Sequence, residues 1–346
     1  MPGPPLQAPR FVEPLKFLPI VYVTFTILTL YLIYLLCHCL PLLQLGRQLD
    51  RVDADARQLG VIEVIALNIF TALLVTCYLR CIFVHPGTIP DNDPYWAYDH
   101  ARSKKSPMLQ ETKRTGDRRH CKWCVKYKPD RCHHCRVCKT CILKMDHHCP
   151  WIYNCVGFHN YKYFFLLLFY TMVDCHLIFW TMLWTLVDVL SDRTPFVRMF
   201  FVLFGETLAF FMGTLITLFW SFHVWLMLRA MTTIEFCEKN LGGKGGEEEG
   251  GSGRERSIYH LGFYGNICAV LGDNPLLWLF PFTQPTGDGL TFVTAQSPLR
   301  RDMEVNKGIK RPASSKPKAQ QWRLTGAWGY GNEPFVGHHG DANGYA

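Results

Sequence analysis

Four apolar stretches decide what this chain can fold into. Residues 17–40, 61–84, 163–187 and 196–228 each reach the length that a helix needs to cross a hydrocarbon core, about 20 residues for about 30 Å. A soluble fold of 346 residues has too little other material to bury four such helices on all sides. Charged residues make up only 18% of the chain, against roughly 25% for a soluble domain. The expected fold class is an all-α polytopic membrane protein, with transmembrane segments at 17–40, 61–84, 163–187 and 200–228. The first stretch is too long for a signal-peptide core and no small-residue cleavage site follows it, so it is expected to remain as an anchor.

Orientation follows from Lys and Arg in the loops. The loop 85–161 carries 14 Lys/Arg against 7 Asp/Glu, whereas the short loop 41–60 balances Arg47, Arg51 and Arg57 with Asp50, Asp53 and Asp55. The long loop and both termini are therefore expected on the cytosolic side. The net charge of +8 suits anionic lipid headgroups or an acidic ligand, and nucleic acid is not expected as a partner. Residues 1–16 read as an irregular cytosolic N-terminus. Residues 229–282 read as a cytosolic C-terminal element whose aromatics suit the membrane interface, and 283–346 read as a disordered Pro-, Gly- and Lys-rich tail. No internal repeat is evident.

The long loop, 85–162, holds the chemistry. Between residues 121 and 155 stand eight cysteines, together with His133, His134, His147 and His148. Cys121-x₂-Cys124 is followed by Cys135-x₂-Cys138-x₂-Cys141, then Asp146-His147-His148-Cys149, then Cys155. Tetrahedral zinc takes four Cys or His ligands, often supplied in such pairs, and a reducing cytosol keeps cysteines as thiols or ligands. The run supplies two ions with groups left over. A surplus Cys beside a surplus His and an Asp has the makings of a nucleophile with its base and orienter. The residues alone do not say which of His147 and His148 is the ligand. About 119–163 forms the Cys-rich module, which reads as too short and too polar to bury a hydrophobic centre of its own, so that metal must hold it together.

The order and spacing of this run resemble the DHHC-type protein S-acyltransferases, or palmitoyltransferases. The resemblance is close over 121–163. It extends to four spans with the Cys-rich loop between the second and third, to a TTxE motif at Thr232-Thr233-Ile234-Glu235, and to a C-terminal element containing Asn266 with Tyr264 nearby. It implies two structural zinc ions, one on Cys121, Cys124, His134 and Cys141, the other on Cys135, Cys138, His148 and Cys155. It implies that Cys149 is the nucleophile, His147 its base and Asp146 the orienter. The implied reaction is ping-pong transfer of a long-chain acyl group, palmitoyl, from acyl-CoA to cysteines of membrane-associated substrate proteins. Lys128, Arg131 and His133 are implied near the CoA phosphates. The Golgi is the compartment that the resemblance favours over endoplasmic reticulum or plasma membrane.

Other residues carry expectations of their own. Asp174 falls near the bilayer midplane, where an acid is costly and faces protein. It is expected either to shape the deep end of an acyl cavity or to bond a neighbouring helix through His176 or Thr181. Glu206 carries the same two readings, with a place near the luminal end as the third. Cys132 reads as a spare buried thiol, with a secondary acylation site as the alternative, and one of Thr232 and Thr233 is expected to bond Asp146. His85-Pro86-Gly87 departs from the family's Asp-Pro-Gly, which puts the local hydrogen bonding in question.

Overall fold

A computed structural model describes residues 16–45, 53–99, 109–113, 115–191, 194–242, 257–283 and 285–294. The readings made above for 1–15 and 295–346 lie outside the described residues. Four helices are long and apolar enough to cross a membrane: Leu18–Leu43, Ala54–Phe83, Tyr161–Ser191 and Phe196–Leu228. The first is α1 (Leu18–Tyr34), which passes through one π-helical turn at Leu35–Cys39 into α2 (Leu40–Leu43). The others are α3 (Ala54–Phe83), α4 (Tyr161–Ser191) and α5 (Phe196–Leu228). Asp53 starts α3 by accepting from the N–H groups of Asp55 and Ala56.

The bundle closes on an apolar layer of Leu30, Ile33, Leu67, Ile178, Met182 and Ala209. Gly205 is needed there, because a Cβ would stand 2.6 Å from Ile33 Cγ2. Several buried polar groups of the bundle pair with one another, as low dielectric favours, whereas both carboxylate oxygens of Glu206 have no partner among the described residues. His38 is held between Thr185 Oγ1 at 2.6 Å and Glu63 Oε2 at 2.8 Å, and Tyr34 shares a 2.6 Å bond with Thr181. Asp174 accepts from Thr71 Oγ1 at 3.2 Å. The helix-to-helix bond expected of it thus runs to α3. His176 instead meets Thr217, and Thr181 meets Tyr34.

Between α3 and α4 the chain builds three two-stranded antiparallel hairpins: β1 (His120–Cys121) with β2 (Lys126–Tyr127), β3 (His133–Cys135) with β4 (Thr140–Ile142), and β5 (His147–Cys149) with β6 (Asn154–Val156). The sequence reading missed a repeat here. A His-Cys pair recurs 14 residues apart at 120–121, 134–135 and 148–149. Each hairpin turns on a left-handed residue at the same offset: Val125, Lys139 and Tyr153, with φ of 49°, 55° and 49°. Cys121 faces Lys126, Cys135 faces Thr140 and Cys149 faces Asn154 in register. The first two hairpins each have a second Cys, Cys124 and Cys138; the third has Ile152 in that place.

The apolar centre beside the hairpins is not the module's own: Ile89, Trp96 and Leu109, from before it in the chain, complete a layer with Tyr127, Leu143 and Phe158. One further expectation is corrected, because Leu290 and Phe292, placed in the tail by the sequence reading, pack against this centre. After α5 come α6 (Thr233–Gly242) and α7 (Phe263–Leu271). Asn266 of α7 anchors the end of α5, donating to Leu228 O at 2.8 Å and accepting from Leu261 N at 2.9 Å.

Candidate active site and metal centres

The module is fastened to the end of the second span, and this sets the height of the site. Asn154 Nδ2 donates to the carbonyls of Cys81, Ile82 and Val84, at 3.1, 3.3 and 3.1 Å, which α3 leaves unpaired at its end. The turn after α3 makes the second attachment. His85 closes the turn itself, since its Nδ1 accepts from Gly87 N at 3.1 Å, and burial lowers the His85 pKa, which keeps that nitrogen an acceptor. Gly87, at φ 103°, adopts a conformation strained for a residue with a Cβ, and its carbonyl accepts from Leu143 N at 3.0 Å.

Two groups of four ligand atoms converge, each within 4.8 Å: Cys121, Cys124, His134 and Cys141, and Cys135, Cys138, His148 and Cys155. Each group takes two thiols from one hairpin and a His and a Cys from the next. A tetrahedral ion with metal–sulfur and metal–nitrogen bonds of about 2.3 and 2.0 Å separates S and N ligands by about 3.5 Å. The sulfur-to-Nδ1 distances are 3.5, 3.4 and 3.9 Å in the first group and 3.7, 3.5 and 3.5 Å in the second. The residues fit a metal ion in both places.

Asp146, His147 and Cys149 stand outside both groups. Asp146 is fully buried, and its carboxylate accepts three bonds: from His147 Nδ1 at 2.7 Å, Thr233 N at 2.9 Å and Thr233 Oγ1 at 2.8 Å. Thr233 is thus the motif threonine that reaches Asp146. Burial alone would raise the Asp146 pKa; the bonds from His147 and Thr233 outweigh it and hold the carboxyl below its usual range. Burial likewise works to lower the His147 pKa, but the Asp146 bond and the contact with Cys149 push it up to about 9. With Nδ1 on Asp146, the other ring nitrogen is left for the thiol. Cys149 itself is buried in an apolar layer with Leu74 and Cys81 of α3, Ile152, and Phe164 and Phe165 of α4.

The motif after α5 is a capping box. Thr232 Oγ1 accepts from Glu235 N at 3.2 Å, and Glu235 Oε2 accepts from Thr232 N at 3.0 Å. The same carboxylate takes a fork from Arg131, with Nε to Oε1 at 2.6 Å and a terminal nitrogen to Oε2 at 2.9 Å. Arg131 is 5% exposed, sits over the rings of Tyr259 and Phe292, and donates to Ala230 O as well. This corrects one expectation, because a guanidinium so enclosed presents no face to a phosphate. Lys128 and His133 lie together near Arg119, and burial together with these cations pushes the His133 pKa down to about 4. Cys132 is fully buried.

Sequence reasoning missed Asn154, Lys162 and His223, the last a buried ring 6.3 Å from that of His147, centroid to centroid. Lys162 Nζ is buried at the start of α4 and donates to Leu271 O, Leu277 O and Thr283 Oγ1, tying the C-terminal element to the bundle. An Asn beside a ligand Cys and a Lys or His inside an apolar helix were the available signals.

The fold and site define a class: a multi-pass membrane protein whose Cys-rich, metal-fitting module presents a Cys–His–Asp set against the spans. Comparison with known proteins makes the class specific. The DHHC palmitoyltransferase family model matches residues 114–240. The chain is 31% identical to human palmitoyltransferase ZDHHC2 over 303 residues, covering 81% of this chain and 76% of the relative. It is 40% identical to mouse palmitoyltransferase ZDHHC15 over 192 residues, 55% of this chain and about half, 54%, of that protein. An Arabidopsis thaliana probable protein S-acyltransferase 15 is 36% identical over 242 residues, 67% of this chain and 89% of the relative. The chain belongs to the DHHC palmitoyltransferase family.

Proposed function

We propose that this protein is a protein S-acyltransferase that moves a long-chain fatty acyl group, palmitoyl, from acyl-CoA to cysteine thiols of membrane-associated proteins. The observation that carries the reading is the Asp146–His147–Cys149 set, built on the metal module yet outside both ligand groups. His147 takes the Cys149 proton while Asp146 fixes its tautomer and stabilises the imidazolium. Sγ attacks the thioester carbonyl, CoA leaves, and a substrate thiolate later attacks the acyl-enzyme with His147 acting again. The apolar layer around Cys149, from α3 and α4, suits an acyl chain running up between the spans.

The resident ions are two Zn²⁺, the metal that three thiolates and an imidazole favour. They fold the module and supply no open position, since four protein ligands complete each. Lys128 and His133 meet the CoA head, in a patch shared with Arg119. The active site faces the cytosol by the Lys/Arg excess of the 85–161 loop, and the Golgi is the compartment favoured by family resemblance. Purified protein in detergent, given labelled palmitoyl-CoA, is expected to gain a hydroxylamine-labile label that a Cys149→Ser variant lacks. A fully metal-loaded preparation that takes up no label would instead make the module a membrane scaffold for protein partners.

A further inference from the structure

Thioester exchange at Cys149 puts negative charge on a carbonyl oxygen, and a buried site needs a donor for it. The donors near Cys149 are mostly spent. Tyr78 OH donates to Trp151 O at 2.9 Å, and Asn154 Nδ2 is committed to three carbonyls of α3. His223, on α5, is different. It is 1% exposed, and its ring lies 6.3 Å from that of His147 and 5.3 Å from that of Phe164, centroid to centroid. Its Nδ1 meets Tyr161 OH at 3.4 Å, while its Nε2 is buried and has no partner among the described residues. Nδ1 is the one acceptor that the Tyr161 hydroxyl meets among those residues, and a buried hydroxyl without an acceptor is costly. Tyr161 therefore donates, and the ring proton of neutral His223 sits on Nε2. The orphan atom is a donor. Trp220 Nε1 is a second donor on the same helix without a partner among the described residues, but its ring packs on Phe165 and Phe169, one turn deeper along α4.

We propose that His223 is a catalytic residue of the acyl transfer, its Nε2–H donating to the thioester carbonyl oxygen as that oxygen becomes an oxyanion. The proposal rests on the acyltransferase reading. As the Cys149 sulfur–carbon bond forms, the carbonyl π pair moves onto oxygen and is held by Nε2–H. When the pair returns, the carbon–sulfur bond to CoA breaks and the CoA thiolate takes the proton from His147. His223 exchanges no proton. The same donor serves the second half-reaction, in which a substrate thiolate replaces CoA.

The test is the single-turnover rate of Cys149 acylation against palmitoyl-CoA concentration in the full chain. His223→Leu is expected to lower the limiting rate about 100-fold, the loss typical of one oxyanion donor, with the half-saturating concentration unchanged. His223→Gln, whose amide nitrogen stands near the Nε2 position, is expected to regain at least 10-fold of this, and His223→Asn, which mimics Nδ1, is not. Equal rates for the Gln and Asn variants overturn the assignment, even if the Leu variant fails to hold its two metal ions. So does a loss in Trp220→Phe that His223→Leu does not show. Absence of label on wild-type protein is a separate outcome, which removes the acyltransferase reading itself.

Discussion

Glu235 is the residue whose loss should be felt furthest from where it stands. It links α6 to the metal module through Arg131, 104 residues earlier, and it closes the capping box on Thr232 N. Arg131 is 5% exposed and Glu235 side-chain exposure is 14%, so this is a buried pair rather than a surface one. Removing one partner of a buried pair costs about 3–5 kcal/mol, because the other charge is left without compensation. Glu235→Ala should reach that range, since it also abandons the first turn of α6. At about 2–4 °C per kcal/mol for a cooperative unit of 150–250 residues, the midpoint should fall by about 6–20 °C. Thermal scans by tryptophan fluorescence in detergent measure this directly. Glu235→Gln keeps the shape and one acceptor and should lie between. An Arg131→Met, Glu235→Met double variant should melt above Glu235→Ala, having no orphan charge. A Glu235→Ala protein that melts within about 2 °C of the parent would refute the idea that the pair carries stability.

Thr233→Val deletes the hydroxyl bond to Asp146 but keeps the backbone one; a bond to a charged group is worth about 1.5–3 kcal/mol, so acylation of Cys149 should slow about 10-fold or more, with metal content unchanged by elemental analysis. Elemental analysis should also find about two zinc ions per chain in the parent and in Cys132→Ser, and fewer in Cys135→Ser, with strong chelators stripping both and lowering the melting midpoint. Asp174→Ala removes a buried side chain that meets Thr71 on one oxygen and has no partner on the other among the described residues. Competition between acyl-CoAs of different length should then shift toward longer chains, and an unchanged preference would separate Asp174 from the acyl cavity.

What the sequence revealed and what it hid divide along sequence separation. Four spans and enough Cys and His for two ions were legible because hydropathy and residue spacing are local, whereas the division into two groups, each drawing on residues no more than 20 apart, came from the family resemblance. The choice of His148 as ligand needed the family resemblance, and the register of His148 opposite Cys155 supplies its geometry. Arg131 misled because it sits in a basic loop and its partner arrives from beyond the last span. The packing of Leu290 and Phe292 was invisible for the same reason: two apolar residues in a polar stretch make no pattern until the surface they cover exists. The Tyr161–His223 pair spans 62 residues and two helices whose apolar composition gives no sign of it. The 14-residue repeat was hidden because only a His-Cys pair and a backbone conformation recur.

That repeat has a consequence for how the protein responds to metal. The middle hairpin contributes to both ligand groups, giving His134 and Cys141 to the first and Cys135 and Cys138 to the second, while Cys149 directly follows His148 of the second. On the proposed reading the two ions are links in series, with the proposed nucleophile on the last link. A chain holding one ion is then a broken chain rather than half a working one. Activity in a partly loaded sample should follow the fraction of molecules carrying both ions, and fall faster than average metal content as zinc is withdrawn.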